Sequence, residues 1–116
     1  MRGNDKQTPL SLALFHILMA LAGHDLHGYA IMQDISRQTE GQYALGPGTL
    51  YDNLQKAMRR RWVADLGHRA DDDDPRRRYY RLTSLGTSAL TAEVSRLENV
   101  VRDAKVRLRI PKPRRA

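Results

Sequence analysis

The sequence predicts a mainly α-helical domain with a small β-ribbon, in the order helix, helix, helix, ribbon, helix. Apolar residues recur at helical spacing in three segments before Arg61, two short β-prone runs follow, and a long heptad pattern fills the last third. With 116 residues, 41% of them hydrophobic, the chain has room for one small domain with a modest core. This size excludes a multidomain enzyme.

The charge of the chain points to a polyanionic partner, either nucleic acid or an anionic surface. Lys and Arg number 20 against 13 Asp and Glu, which gives a formal net charge of +7. Residues 102–116 hold seven of the basic residues against Asp103 alone. The chain has no Cys, which excludes disulfides, thiolate metal sites and cysteine catalysis and fits a reducing compartment. We therefore expect a cytoplasmic location.

The first helix is expected to start at Thr8 and Pro9, after a flexible N-terminus over residues 1–7. Thr8 can accept the free N–H groups of a first turn, and Pro9 has no N–H to leave unpaired. Gly23 is a plausible stop. The apolar positions between them mark a core helix: Leu10, Leu14, Ile17, Leu18 and Leu21.

The second helix is expected from Leu26 to about Gln38, capped by Asp25 and ended by residues 39–41. One face of it carries Gly28, Ile31 and Ile35.

The third helix is predicted to start where Gly46 precedes Pro47. Its apolar stripe consists of Leu50, Leu54, Ala57 and Met58. The opposite face is small or polar and ends in cations, and it consists of Gly48, Asp52, Gln55, Lys56 and Arg59.

The β-ribbon is predicted from two runs, residues 62–66 and 78–83, joined by a hydrophilic stretch too long for a tight turn. We expect this stretch to form a protruding tip and the acidic run, Asp71 to Asp74, to be a solvated loop. Tyr79 and Tyr80 alternate across a strand, so one of them should face the core.

The last helix is expected over residues 84–110, followed by a basic, disordered tail over 111–116 that starts at Pro111. Its apolar residues alternate at spacings of four and three, which is typical of pairing with another helix, and the simplest partner is a second copy of the chain. The alternative is packing within the chain. We call these positions the heptad seam: Leu90, Val94, Leu97, Val101, Ala104 and Leu108.

This order of elements is that of a winged helix-turn-helix, here over residues 8–83, which places the third helix in a major groove of double-stranded DNA. The candidates for base contacts on its first turns are Thr49, Tyr51, Asp52 and Gln55, beside Gly48. The candidates for phosphate contacts are cations on the third helix and the ribbon: Lys56, Arg59, Arg60, Arg61, Arg76, Arg77 and Arg78. Tyr29 and Tyr51 either donate an O–H to a phosphate or pack with the hydroxyl at the surface.

Four segments in this order resemble the PadR family of bacterial and archaeal transcriptional regulators: residues 8–10 (TPL), 26–29 (LHGY), 46–51 (GPGTLY) and 75–83 (PRRRYYRLT). The resemblance covers residues 8–86. It implies a homodimer made through the C-terminal helix, as in the family's short forms, and usually repression at a near-palindromic operator. It also implies that a small aromatic or drug-like effector can release the DNA.

The sequence departs from the family pattern at two places. Ser84 and Leu85 stand where the family commonly has Pro and Glu, and residues 59–62 stand where it often has acidic residues and a Gly. Trp62, the only Trp, either lines an effector cavity between protomers or fills the joint between the third helix and the sheet. We place the acidic tip away from DNA because phosphate would repel it.

Nothing in the sequence predicts catalysis, a metal or a cofactor. No nucleophile stands with an identifiable base, and residues 46–49 lack the Lys of a phosphate-binding loop. His24 and His27 have no evident third ligand, and the aspartate run lacks the spaced oxygens of a calcium loop.

Three functions remain open at this stage. The first is a dimeric, sequence-specific DNA-binding regulator. The second is a protein-interaction module in which the last helix recruits a different chain. The third is a nonspecific architectural DNA binder that relies on its tail, so that deleting residues 112–116 would abolish most binding.

Overall fold

The structure is a computed structural model that describes residues 9–111. The four helices are α1 (Leu12–Leu21), α2 (Gly28–Gln38), α3 (Pro47–Arg59) and α4 (Ser84–Arg107), and the three strands are β1 (Leu26–His27), β2 (Val63–Gly67) and β3 (Tyr79–Leu82). Strand β3 lies between β1 and β2 and is antiparallel to both. The predicted winged helix-turn-helix with an added C-terminal helix is confirmed.

The start of α1 differs from the prediction. The helix begins at Leu12, and Ser11 is its N-cap, with the Ser11 Oγ accepting a hydrogen bond from the Leu14 N–H at 3.2 Å. Both Ser and Thr can cap a helix, and the prediction chose the Thr that precedes Pro9. Thr8 and the predicted flexible N-terminus lie outside the described residues. The predicted end is confirmed, since the helix stops at Leu21 and Gly23 follows with φ of 90°.

The predicted cap and first residues of α2 are wrong. Leu26 and His27 form strand β1, which pairs with Tyr80 and Tyr79 of β3. The N-cap is His27, whose Nδ1 accepts from the Ala30 N–H at 3.2 Å. Asp25 instead accepts hydrogen bonds from Arg81, the shortest at 2.7 Å. A two-residue strand is too short to show any alternation in the sequence.

The core lies between the helices and β3. Helix α1 packs against the other three helices, and the sheet closes one side. The prediction that one of two neighbouring tyrosines faces inward is confirmed, because Tyr80 is 5% exposed. The fully buried side chains of the core are Ile17, Leu18, Leu21, Ile31, Ile35, Leu50 and Leu54.

Helix α3 ends in a motif that fixes where β2 begins. The Trp62 N–H donates to the Ala57 carbonyl and the Arg61 N–H to the Met58 carbonyl, the two bonds of a Schellman cap. Arg61 therefore takes a left-handed conformation with φ of 62°. The family often has a Gly in this region, and Arg61 stands here instead. Glycine would adopt the left-handed conformation of Arg61 without strain.

The two halves of α4 have different surroundings. The first half lies on the domain, with Thr83 as the N-cap and Gly86 buried against the Trp62 carbonyl, where no Cβ would fit. Glu93, 5% exposed, pairs with Arg96 at 2.8 Å. Beyond residue 97 every residue of the helix is exposed. The helix ends at Arg107, so Leu108 is its C-cap and not part of its last turn.

No helix within residues 9–111 is both long and apolar enough to cross a membrane. The residues after Pro111, which hold most of the predicted basic tail, lie outside the described part of the chain.

Candidate nucleic-acid interface

Helix α3 presents one polar stripe to solvent. Gly48, Asp52, Gln55 and Arg59, spaced four, three and four residues apart, are all exposed, opposite the buried Leu50 and Leu54. Pro at the first helical position and a Gly cap start this helix. The stripe is free of the domain's own packing, as a helix that enters a groove requires.

The two flanks of α3 face different clefts. Tyr51 lies on one flank, where with Tyr29 and the arginines of residues 76–78 it lines a cleft of about 440 Å³. We call this the wing cleft; its other lining residues are His27, Gly28, Asp74 and Tyr80. Tyr29 is 60% and Tyr51 46% exposed. A Cβ on Gly28 would overlap the Tyr51 hydroxyl, so this Gly leaves room for Tyr51 in the cleft.

The other flank of α3 carries three more of the predicted cations, whereas Arg61, exposed just after the helix, lines neither cleft. Lys56, Arg59 and Arg60 line a separate cleft of about 390 Å³ with residues 9–11 at the start of α1. Lys56 also lies 3.7 Å from the Asp52 carboxylate, and both side chains are more than half exposed. Except for Arg61, the structure therefore brings the predicted phosphate-contacting residues together in two groups on different sides of α3.

We call residues 63–82, which comprise β2, β3 and their connection, the wing. Within the wing's acidic run, the prediction of a solvated loop is wrong for Asp72. The Asp72 side chain is 3% exposed. Its carboxylate accepts from the Tyr79 hydroxyl at 2.5 Å, from Arg77 at 3.2 Å and from the Asp74 N–H at 2.9 Å. These bonds draw the predicted protruding tip back over β3.

These contacts stabilise the charged form of the carboxylates. The Tyr79 hydroxyl, the Asp74 N–H and Arg77 hold the pKa of Asp72 below its usual range. The Arg76 side chain does the same for the pKa of Asp74. The Tyr79 pKa is raised, because ionised Tyr79 could no longer donate to Asp72.

His27 connects the wing to α2. Its ring packs edge-on against Tyr79, with centroids 5.3 Å apart, while its Nδ1 caps α2. Burial, with Arg77 nearby, lowers the His27 pKa. His27 was weighed from the sequence as a metal ligand and, within the PadR-like segment 26–29, as a structural position near the start of α2, but its capping role was not predicted. His27 directly precedes Gly28, the first residue of the predicted apolar face of α2, and this placement could have indicated a capping residue.

Trp62 is partly buried against the core, and the Arg60 guanidinium lies 5.0 Å from its ring centroid. This position is compatible with both predicted roles of Trp62, so the effector cavity stays a prediction.

The heptad seam is largely uncovered. Val94, Val101 and Leu108 are 40%, 50% and 69% exposed, whereas Leu90 packs against the core. Together with Phe15 of α1, the middle of the seam lines an apolar groove of about 480 Å³. Phe15 was missed in the sequence because it stands between positions of the α1 core stripe.

Within residues 9–111, no three His, Cys, Asp or Glu side chains are grouped so that they could hold a metal ion.

A small winged-helix domain with an exposed third helix, two cationic flanks and a ribbon beside them defines a DNA-binding protein of the helix-turn-helix class. Residues 17–92 match the model of the transcriptional regulator PadR-like family. The chain belongs to this family, as the resemblance of its motifs indicated. It is therefore a DNA-binding transcriptional regulator and not an enzyme.

Individual relatives agree with this assignment. The transcriptional regulator Rv3488 of Mycobacterium tuberculosis is 35% identical over 91 residues, which are 76% of this chain and 78% of the relative. A PadR family transcription regulator from Clostridium difficile has a similar structure, with a TM-score of 0.66, 21% identity and coverage of 84% of this chain and 98% of that one.

A further solved structure has a similar fold. The structure of Bordetella bronchiseptica BpsR, whose DNA binding is regulated by 6-hydroxynicotinic acid, matches with a TM-score of 0.65 and 17% identity. The match covers 85% of this chain and 67% of BpsR.

Proposed function

We propose that the chain is a homodimeric repressor that binds a near-palindromic operator in the cytoplasm. The observation that carries the proposal is the pairing of two surfaces on one small domain. One is the exposed polar stripe of α3 between two cationic clefts, and the other is the uncovered heptad seam of α4. Two copies joined along the seam would present two α3 helices to one duplex.

In this proposal α3 enters the major groove. Asp52 and Gln55 contact base edges, with Thr49 at the start of the helix, because groups on the exposed stripe reach the groove floor. The wing arginines with Tyr29 and Tyr51 hold a phosphate on one side, and Lys56, Arg59 and Arg60 hold one on the other side. Such contacts fix the register of the protein on DNA without reading its sequence.

A second copy of the chain is the occupant that we propose for the seam. Its apolar residues alternate at coiled-coil spacing, and Phe15 extends the apolar groove onto α1. Charged residues border the groove, with Glu98 facing it beside Arg102 and Lys105, so a second copy could pair opposite charges at the rim. Domain limits follow from this: residues 8–83 bind DNA and residues 84–110 make the dimer.

We further propose that a small aromatic effector binds near Trp62 and releases the DNA. BpsR responds to such a molecule, and Trp62 lies at the joint between α3 and the start of α4. By linkage, an effector must weaken DNA binding by the same factor by which DNA weakens effector binding. Titration of Trp62 fluorescence with 6-hydroxynicotinic acid, with and without operator DNA, tests this. An affinity that DNA does not change would exclude this compound as an inducer.

The experiment that tests the central proposal is selection of bound sequences from a random DNA pool at two salt concentrations. A palindrome with half-sites about one helical turn apart (~34 to 36 Å), still enriched at the higher salt, is expected. Uniform binding that disappears as salt rises would instead indicate an architectural binder. A heterodimer on purification without DNA affinity would indicate a protein-interaction module. Transcription from a template carrying the selected site distinguishes repression from activation.

A further inference from the structure

Each arginine of the wing triplet is already paired with a carboxylate of the same wing. Arg76 Nε lies 3.2 Å from Asp74 Oδ1, Arg77 Nη1 lies 3.2 Å from Asp72 Oδ1, and Arg78 Nε lies 3.0 Å from Asp65 Oδ2. The proposed phosphate-binding cations of the wing cleft are therefore not free. A phosphate that enters the cleft must share these arginines with carboxylates or take them over.

The three pairs differ in burial. Asp74 and Asp65 are each 31% exposed, and their partners Arg76 and Arg78 are 89% and 59% exposed. Exchange of such solvated pairs is easy, because exposed ion pairs contribute little free energy. All three carboxylates also accept the backbone N–H two residues further on. Asp72 differs because its side chain is 3% exposed and also accepts from the Tyr79 hydroxyl. It cannot give up its partners without leaving a buried charge unsatisfied.

We infer that the wing carboxylates set the affinity for DNA in two opposite ways. Asp72 is a positioning residue that holds Arg77 and Tyr79 in place, whereas Asp74 and Asp65 compete with phosphate for Arg76 and Arg78. The inference rests on the proposed use of the wing cleft as a DNA contact. It also assigns the acidic run a role other than repulsion of the duplex.

The positioning role of Asp72 extends to α2. Tyr79, which Asp72 fixes through its hydroxyl, packs against His27, and His27 caps the helix that carries Tyr29. The Arg69 guanidinium lies 4.6 Å from the centroid of the same Tyr79 ring. Loss of the Asp72 carboxylate therefore weakens the contact between the wing and α2, the helix that contributes Tyr29 to the wing cleft.

The competing role predicts a change in salt dependence. A phosphate that enters the wild-type cleft shares Arg76 with the Asp74 carboxylate, so this arginine displaces less than a full counterion from the DNA. With Asn at position 74 the arginine is not shared, and the slope of log K against log salt should steepen by up to about 0.9 for each arginine freed. Affinity at low salt should rise about two- to fivefold, the range that corresponds to an exposed ion pair.

The test compares four variants of the full chain that each remove one negative charge: Asp65→Asn, Asp72→Asn, Asp74→Asn and the control Asp73→Asn. Asp73 is exposed in the same loop. Binding to one duplex is measured over a series of salt concentrations, and thermal unfolding of each variant is recorded. The inference predicts tighter binding with a steeper slope for Asp65→Asn and Asp74→Asn, about tenfold weaker binding for Asp72→Asn, and little change for Asp73→Asn.

A second variant keeps the test of Asp72 independent of folding. Tyr79→Phe removes only the hydroxyl that donates to Asp72 and leaves every charge in place, and it should also weaken DNA binding. Unchanged affinity of a folded Tyr79→Phe or Asp72→Asn variant contradicts the positioning role.

Other outcomes separate the two proposals. If the wild-type chain binds DNA but all four Asn variants shift equally, net charge alone explains the data and the wing inference is wrong. If the wild-type chain binds no duplex at any salt concentration, the proposed function itself fails.

Discussion

Helices α3 and α4 both carry an apolar stripe at helical spacing, and the two stripes differ in what covers them. On α3, Leu50, Leu54 and Ala57 are 0% exposed beneath the other helices of the domain. On α4, Val101 is 50% exposed, and Leu108, its C-cap, is 69% exposed. The pattern in the sequence is equally regular in both helices, yet within the described residues the α4 stripe is covered only in its first half, where Leu90 packs against the core.

The difference teaches that the stability of the domain and its assembly depend on separate surfaces. Burial of the α3 stripe stabilises each copy, whereas the far half of α4 gains little from its own domain. An isolated amphipathic helix is marginal in water, so α4 beyond residue 97 is the part that a second copy would stabilise. Substitutions on the two stripes should therefore affect different measurements.

The largest effect is expected for Leu54→Ala on α3. The side chain is fully buried, so its truncation should lower the free energy of unfolding by about 2 to 5 kcal/mol. The matched control on α4 is Val101→Ala, which should change it by less than about 0.5 kcal/mol at protein concentrations where the chain is monomeric. Denaturant unfolding at low concentration measures both. Equal losses at the two positions would contradict the comparison.

The next effect concerns assembly and is expected for Val101→Glu. A carboxylate in the middle of the heptad seam would be buried without a partner in the dimer, so the dimer should dissociate at least about a hundredfold more readily. Sedimentation velocity over a range of concentrations measures this, and circular dichroism checks that the monomer remains folded. A dimer of unchanged affinity would show that the copies associate through another surface.

A smaller effect is expected where α4 joins the domain. A Cβ in Gly86→Ala would meet the Trp62 carbonyl and the Leu82 side chain, and the backbone cannot move aside freely. The overlap should cost about 1 to 3 kcal/mol of stability without altering the seam. Thermal unfolding measures the cost, and Ser88→Ala at an exposed site of the same helix is the control. If Gly86→Ala unfolds at the same temperature as Ser88→Ala, the start of α4 lies farther from the Trp62 carbonyl than the structure shows.

The ends of the two helices offer a finer comparison. Arg61 after α3 and Arg109 after α4 both adopt a positive φ, 62° and 57°, in Schellman caps. Arg61→Gly should stabilise the chain by up to about 1 kcal/mol, because glycine adopts this conformation without strain. Arg109→Gly should have almost no effect, since the end of α4 carries no tertiary packing and can fray. Equal increases in the free energy of unfolding for the two variants, measured by chemical denaturation, would show that the end of α4 is as well ordered as the end of α3.

The smallest effect is a dependence of stability on pH. The His27 pKa is lowered in the folded chain, so the unfolded chain binds more protons near its ordinary value of about 6.5. The contribution of neutral His27 is fully present above about pH 6.5 and is lost as the pH falls from there through the lowered pKa of the folded chain. Arg77, Asp72 and Asp74 face the ring, and the carboxylates titrate only at lower pH. Unfolding of His27→Asn, which keeps a capping side chain, should lack this dependence between pH 5.5 and 7.

Helical periodicity was enough to predict the four helices, apart from the first residues of α2, and the exposed polar stripe of α3. These features depend on residues three or four apart, which one sequence displays directly. Strand β1 was missed because Leu26 and His27 gain strand geometry only by pairing with Tyr80 and Tyr79, more than 50 positions away. By contrast, the place of Arg59 on the exposed stripe of α3 was predicted from helical spacing alone.

The wing could be predicted only in outline. The sequence showed that three arginines, Arg76 to Arg78, precede the second strand of the ribbon. It did not show which carboxylates they pair with, because those partners depend on how the loop folds. Asp65 lies 13 residues from Arg78, and the burial of Asp72 comes from the turn that brings Tyr79 beneath it. The run of four aspartates looked uniform in the sequence, and the fold gives its members different surroundings.

The most direct test of the account is the mass of the complex between the 116-residue chain and one duplex that carries the selected site, measured by sedimentation equilibrium. The account predicts two chains per duplex for the wild type and failure to form this complex for Val101→Glu at the same concentration. One chain per duplex, or a two-chain complex that Val101→Glu leaves intact, would contradict the claim that the heptad seam joins two DNA-binding domains.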